Sequence, residues 1–98
     1  MISGLVRTNS GVHVKGNATF GADVNLEAGS IVCNYRNERT DKDILVRLDG
    51  ALHRTGVQKF GALVGDHARM GANATLAPGT LLCRGAVIGR MALCDQET

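Results

Sequence analysis

Three histidines carry the most obvious acid–base chemistry of this 98-residue chain. An imidazole exchanges a proton near neutral pH, so each is a potential general base. His13 lies between Val12 and Val14 and should point outward, which makes it the candidate base. His67 directly precedes Ala68 near an expected corner and is assigned a structural role; His53 falls in an irregular stretch. His13, His53 and His67 are too widely spaced in the chain for a close ligand pair, so no metal ligand is assigned. Cys33, Cys83 and Cys94 form no close pair and are odd in number, as expected of free thiols in a reducing cytoplasm. Asp41 and Asp43 sit in a charged run and are expected to be solvated. Arg36, Arg39, Lys42 and Arg47 in the same region have the charge to hold a phosphate, although a solvated loop is the simpler expectation. No Gly-x-Gly-x-x-Gly stretch or Gly-Lys-Ser/Thr sequence is present to cradle a nucleotide.

What must position these residues is a sixfold repeat. Ile2, Thr8, Val14, Phe20, Leu26 and Val32 share one phase, with small or β-branched residues two places earlier at Val6, Val12, Ala18, Val24 and Ser30. The pattern returns as Val64, Met70, Leu76, Leu82 and Ile88, preceded by Ala62, Ala68, Ala74, Thr80 and Ala86. Six steps turn an α-helix through about 600°, so no helical face survives such a repeat. Short strands broken by a turn every six residues satisfy it. The expectation is an all-β chain, a parallel β-helix of hexapeptide repeats, in which residues three repeats apart stack: Ile2 under Phe20, Thr8 under Leu26, Val64 under Leu82, Met70 under Ile88. Cys94, one repeat after Ile88, should face inward.

The two blocks, about 2–35 and 58–94, are out of phase, because the step from Val32 to Val64 is not a whole number of hexapeptides. The stretch of about 36–57 is therefore expected to leave the coil and re-enter it, within a single domain spanning 1–98. Its start, Arg36 to Asp43, should be a solvated loop; Ile44 to Leu48 should form a short strand ending at the Asp49-Gly50 turn. Gly21, Gly65, Gly71 and Gly89 follow inward residues, and Gly29, Gly79 and Gly85 precede small inward ones, as corners would require. Asn9, Asn17 and Asn73 suit left-handed corner positions.

Charge is dispersed with a net of +2 and aromatics are 3%, so neither a basic stripe nor stacking platforms for nucleic acid are expected. No apolar run approaches the length of a membrane span, and Met1 leads directly into the repeat, so no leader is expected. Ala at many inner positions makes a slender core, while Ile31, Leu63, Leu81 and Val87 should point outward. Flat apolar faces of this kind favour a closed cyclic assembly, and a homotrimer is expected. The open coil ends need a cap.

Three blocks then carry a resemblance: Ala28-Gly-Ser-Ile-Val-Cys-Asn-Tyr35, Thr55-Gly-Val-Gln-Lys-Phe-Gly-Ala-Leu-Val-Gly-Asp66 and Met70-Gly-Ala-Asn-Ala-Thr-Leu-Ala-Pro-Gly79. In this order and spacing, over about Val14 to Leu93, the chain resembles the acetyltransferase domain of bifunctional N-acetylglucosamine-1-phosphate uridyltransferases and related sugar-phosphate nucleotidyltransferases, hexapeptide-repeat transferases. The resemblance implies a left-handed β-helix, a trimer with sites between subunits, acetyl-CoA along an outer face, and an amino-sugar phosphate as acceptor. It implies substrate contacts for Asn25, Asn34 and Tyr35, an approach to the acceptor for Lys59, and backbone groups of Ala28 and Ala72 for the cofactor. His13, Asn34 and Lys59 are the catalytic candidates: His13 or a water takes the amine proton, and Asn34 with backbone amides steadies the oxyanion. The chain departs from the family at the expected catalytic histidine, near Gly11, and its tyrosine, near Val14. It also has no nucleotidyltransferase domain, and so looks like a coil segment of such a protein. Two functions follow as expectations: CoA-dependent acetyl transfer to an amino sugar or its phosphate, or a non-catalytic trimeric scaffold or binding module derived from such a transferase.

Overall fold

Hexapeptides build short strands, and the computed structural model, which describes residues 6–8, 11–16 and 18–98, contains strands of two to four residues and no helix among them. They are β1 (Val6–Thr8), β2 (His13–Val14), β3 (Thr19–Phe20), β4 (Val24–Leu26), β5 (Ile31–Val32), β6 (Leu45–Leu48), β7 (Ala51–Arg54), β8 (Ala62–Val64), β9 (Arg69–Met70), β10 (Thr75–Leu76), β11 (Thr80–Leu82), β12 (Val87–Ile88) and β13 (Leu93–Cys94). Apart from β6 and β7, the strands join three parallel sheets in rotation. Their orders are β1-β4-β9-β12, β13-β10-β5-β2 and β11-β8-β3.

The register explains the phase slip. Thr8 pairs with Leu26, Val64 with Leu82 and Met70 with Ile88, each three hexapeptides on. An unbroken coil would go on to pair Phe20 with Glu38, Leu26 with Ile44 and Val32 with Gly50. Instead Phe20 pairs with Val64, Leu26 with Met70 and Val32 with Leu76, all displaced by the same amount. One insertion into a single turn of the coil accounts for all three pairings. The expected Ile2 stacking, and the Asn9 and Asn17 corners, lie outside the described residues.

The in-phase side chains form the core. Phe20, Leu26, Val32, Val64, Met70 and Leu76 are buried, as are the small residues Ala18, Ala62, Ala68 and Ala74. Two inward hydroxyls are satisfied locally: Ser30 Oγ donates to the Glu27 carbonyl at 2.7 Å, and Thr80 Oγ1 to the Ala77 carbonyl at 2.6 Å. Val14 is half-exposed although its register partner Val32 is buried, because β2 is the outermost strand of its sheet. Leu63 and Val87 face outward, as their phase requires, and Cys94 packs partly against the core.

Corners form columns of left-handed backbone. Gly11, Gly29, Asn73 and Met91 stack at one corner, and Asp23, His67 and Gly85 at the next, all with φ between 56° and 77°. Gly21, Gly65 and Gly71 have a different reason for lacking a side chain. They are absent from the left-handed set, but a Cβ on Gly65 would come within 2.6 Å of the Arg84 amide nitrogen.

The insertion differs from expectation in two respects. The strand ending at Asp49-Gly50 has a return partner: β6 pairs antiparallel with β7 through a turn whose two residues have φ of 51° and 80°, the primed geometry that suits a twisted hairpin. Ala51 to Arg54 lacks alternation because all four residues are exposed, which hides the strand in the sequence. Arg36, expected in a solvated loop, is instead buried, with its guanidinium 2.8 Å from Asp95 and 2.6 Å from Glu97. Those carboxylates come from the far end of the chain, and burial of the arginine follows from their supplying its counter-charge.

Candidate functional site

The outer face of β4, β9 and β12 holds one group of polar residues. Alternation points Asn25 outward between buried Val24 and Leu26, and the parallel register sets it beside Arg69. A cleft of about 240 Å³ runs along this face, lined by Asn25, Arg69, Gly71, Val87, Gly89 and Arg90. At the corner beyond it, Asn73 donates its backbone amide to the Ala28 carbonyl at 2.9 Å. The Ala72 amide donates to Glu27 Oε1 at 2.9 Å, and Glu27 Oε2 accepts from Arg90 at 3.1 Å.

The opposite corner of the same face carries Asp23 and His67. Both are in the left-handed conformation, and His67 Nδ1 lies 2.8 Å from Asp23 Oδ2. Arg69 reaches the same carboxylate oxygen at 3.1 Å and also donates to the Asp23 carbonyl. The hydrogen bond from His67, then that from Arg69, holds the Asp23 carboxyl below its ordinary range.

A second group follows β5. Asn34 Nδ2 donates to the Gly16 carbonyl at 3.3 Å, and Phe60 donates its amide to the Asn34 carbonyl at 3.0 Å, which closes the insertion. Two ammonium groups approach the Tyr35 ring, with Lys59 Nζ at 5.1 Å and Lys42 Nζ at 5.4 Å from its centroid. At these distances the ring face attracts the cations. Lys42 is further anchored by the carbonyls of Arg36 and Asn37. His13 stands on β2, exposed, with no hydrogen-bond partner for its ring among the described residues.

The structure thus brings Asn34, Tyr35 and Lys59 together. It sets Asn25, Ala28 and Ala72 along a different sheet and its corner, and His13 on the sheet that leads to Asn34. The suggested phosphate-binding role of the insertion's cations is corrected: Arg36 is buried on Asp95 and Glu97, Arg39 is paired with Glu97, and Arg47 Nε donates to the Gln96 carbonyl. Sequence reasoning missed the Asp23–His67–Arg69 cluster and the Glu27–Arg90 pair. The available signal was the corner phase, which becomes readable once the length of the insertion is known. Burial pushes the Cys33 and Cys94 thiols up, away from reactive thiolate. Among the described residues, no group of three or more His, Cys, Asp or Glu is placed to hold a metal ion. No helix among them is long and apolar enough to cross a membrane.

Parallel strands visiting three sheets in rotation, with polar groups gathered on outer faces and corners, define an all-β hexapeptide-repeat protein whose chemistry lies outside its core. Its sequence is similar to the bifunctional sugar-1-phosphate nucleotidylyltransferase/acetyltransferase of Sulfurisphaera tokodaii, 36% identical over 64 residues, covering 65% of this chain and 16% of that protein. It is also similar to the bifunctional protein GlmU of Methanococcus vannielii, 29% identical over 82 residues, 84% of this chain and 19% of the relative. The GlmU of Fervidobacterium nodosum is 32% identical over 82 residues, 84% of this chain and 14% of the relative. The chain therefore spans less than a fifth of these curated relatives. No family model matches it. The similarity agrees with the resemblance carried by its Cys-Asn-Tyr, Lys-Phe and Ala-Pro-Gly blocks.

Proposed function

We propose that the chain, as one domain spanning 1–98, is a closed left-handed β-helix that assembles as a homotrimer and transfers an acetyl group from acetyl-CoA to the amine of an amino sugar or its phosphate. The observation that carries this reading is the similarity to the bifunctional relatives over most of the chain. A reducing cytoplasm is the compartment, consistent with three free cysteines.

The cleft on β4, β9 and β12 suits the acyl donor. Its lining includes Gly89, where a Cβ would meet nothing within 4 Å, and Arg69 and Arg90, which have the charge that phosphates need. Ala28 and Ala72 offer backbone groups at its end, where Glu27 now occupies the Ala72 amide. The donor supplies an activated thioester carbonyl. Asn25 and Tyr35 contact the acceptor, Lys59 neutralises its phosphate, and Asn34 steadies the developing oxyanion. His13 or a water takes the amine proton. Because Asn25 and Lys59 lie on different sides of one chain, a site that uses both draws them from neighbouring subunits.

The test is thiol release from acetyl-CoA with glucosamine phosphates, for the wild type and for His13→Ala and Asn34→Ala. The expected result is turnover by the wild type that falls in Asn34→Ala. Release no faster from the wild type than from Asn34→Ala overturns the reading; a fall in His13→Ala assigns the proton to His13, and its absence assigns the proton to water or another base.

A further inference from the structure

A left-handed corner is cheapest for glycine, and the corner column ends in one, Gly85. Among the described residues, its other two places are taken by Asp23 and His67, whose side chains meet at 2.8 Å. Asp and His are tolerated in this conformation better than most residues, yet the corner itself requires neither. The pairing is also fixed from a third side, because Arg69, which lines the cleft beside Asn25, bonds the same carboxylate oxygen. An ionised carboxylate only accepts hydrogen bonds, so Nδ1 must carry the imidazole proton. The Nε2 lone pair is then available: no described residue hydrogen-bonds that nitrogen, and the side chain is about half exposed. His13, by contrast, has nothing among the described residues that selects its tautomer.

We propose that His67, oriented by Asp23, is the proton acceptor that serves the cleft on β4, β9 and β12, in place of His13. Asp23 is a positioning residue and Arg69 links the pair to the cleft wall. This deepens the acyl-transfer reading and rests on it for the reaction. The acceptor amine nitrogen forms its bond to the thioester carbonyl carbon and the C–S bond breaks. The amine proton passes to His67 Nε2 and from there to the departing thiolate sulfur, so the imidazole ends neutral and no further reactant is needed.

Three measurements on the full chain test this. Long-range ¹H–¹⁵N spectra at pH 8 should show His67 as the Nδ1-protonated tautomer, with that preference lost in Asp23→Asn. Carbethoxylation by diethyl pyrocarbonate, followed residue by residue by mass spectrometry, should slow severalfold at His67 in Asp23→Asn and be unchanged at His53. In the acetyl-CoA assay, His67→Gln should lower kcat by roughly 10²–10⁴-fold, the usual contribution of general-base catalysis, while His53→Gln should not. A wild-type His67 protonated on Nε2, or a carbethoxylation rate indifferent to Asp23, overturns the dyad. So does a kcat for His67→Gln within about twofold of wild type, given that general bases contribute far more. A wild type with no thiol release, but with the expected tautomer and carbethoxylation rates, overturns the acyl-transfer reading and leaves the proton acceptor standing.

Discussion

The side-chain amide of Gln96 pairs with both backbone groups of Leu81. Leu81 N–H donates to Gln96 Oε1 at 2.8 Å, and Gln96 Nε2 donates to the Leu81 carbonyl at 2.9 Å. Leu81 lies on β11, the outer strand of its sheet, so a side chain does here what another strand would do. Gln96 is itself held by Arg47 from the hairpin, through its own carbonyl at 2.7 Å.

Replacing Gln96 with Ala should therefore act twice. Two part-buried backbone groups lose their partners, which should cost about 1–3 kcal/mol in urea unfolding. The exposed edge should also promote association through strand pairing, visible as added mass by sedimentation velocity. Glu at position 96 keeps the acceptor for Leu81 N–H and loses the donor, so its stability should fall between those of wild type and Q96A.

The neighbouring ion pairs predict an acid-sensitive clamp. Arg36 is buried among Asp95, Glu97 and the more exposed Glu38, and its hydrogen bond to Asp95 holds that carboxyl below its ordinary 3.8. A carboxyl with a lowered folded-state pKa stabilises the fold fully above its unfolded value and loses that contribution as pH falls through the lower one. The wild type should keep this contribution at pH 5 and lose it as the pH drops below about 3.8. Arg36→Met should cost up to about 3–5 kcal/mol at pH 7, because it removes the counter-charge of half-buried Asp95 and leaves Glu97 to Arg39 alone. The deficit should narrow as the medium is acidified, and urea midpoints measured from pH 7 to pH 2 would show whether the two curves converge.

Arg36 also marks how far the sequence can be read. The sixfold pattern is legible because each inward place is stated repeatedly: Phe20, Leu26 and Val32, then Val64, Met70 and Leu76. Even the phase slip between Val32 and Val64 is visible, and with it the approximate place, about residue 58, where the chain rejoins the coil. Long-range electrostatics leave no local trace, since nothing near Arg36 distinguishes a solvated arginine from one awaiting Asp95. The strand β7 is hidden because all four of its residues are exposed and impose no alternation. Of the candidate site, the closeness of Asn34, Tyr35 and Lys59 is legible only through the resemblance, because the whole insertion separates Lys59 from Cys-Asn-Tyr and its phase repeats nowhere else. Asp23 and His67 each look like a corner residue; their pairing needs the register.

Glycines of the coil should separate into two kinds. A Cβ on Gly71 would sit 2.5 Å from the Arg90 amide nitrogen and 2.8 Å from its Cα, both backbone atoms of the next turn. G71A should therefore force adjacent turns apart and cost about 1–3 kcal/mol. Gly89 follows Ile88 as Gly71 follows Met70, but a Cβ there meets nothing within 4 Å and its φ is not left-handed. G89A should be neutral or stabilise by up to about 1 kcal/mol, through a less flexible unfolded chain. Equal losses in thermal unfolding of the two variants would mean that corner conformation, not the approach of the next turn, requires these glycines.

Separation of the two polar groups predicts complementation. Asn25 lies on the β4 face, whereas Lys59 lies beside Tyr35 at the other end of the insertion. If each site in a trimer combines the face of one subunit with the corner of the next, N25A and K59A should each be inactive alone. Mixed, unfolded together and refolded, they should regain activity. A working site needs the face from a K59A subunit and the corner from an N25A subunit, so random assembly of a cyclic oligomer restores about one quarter of the sites. Thiol release from acetyl-CoA near that fraction of the wild-type rate, absent when the two proteins are mixed without refolding, would assign the site to two chains. No recovery on refolding would place both groups in the service of one chain and remove the reason to expect a shared site.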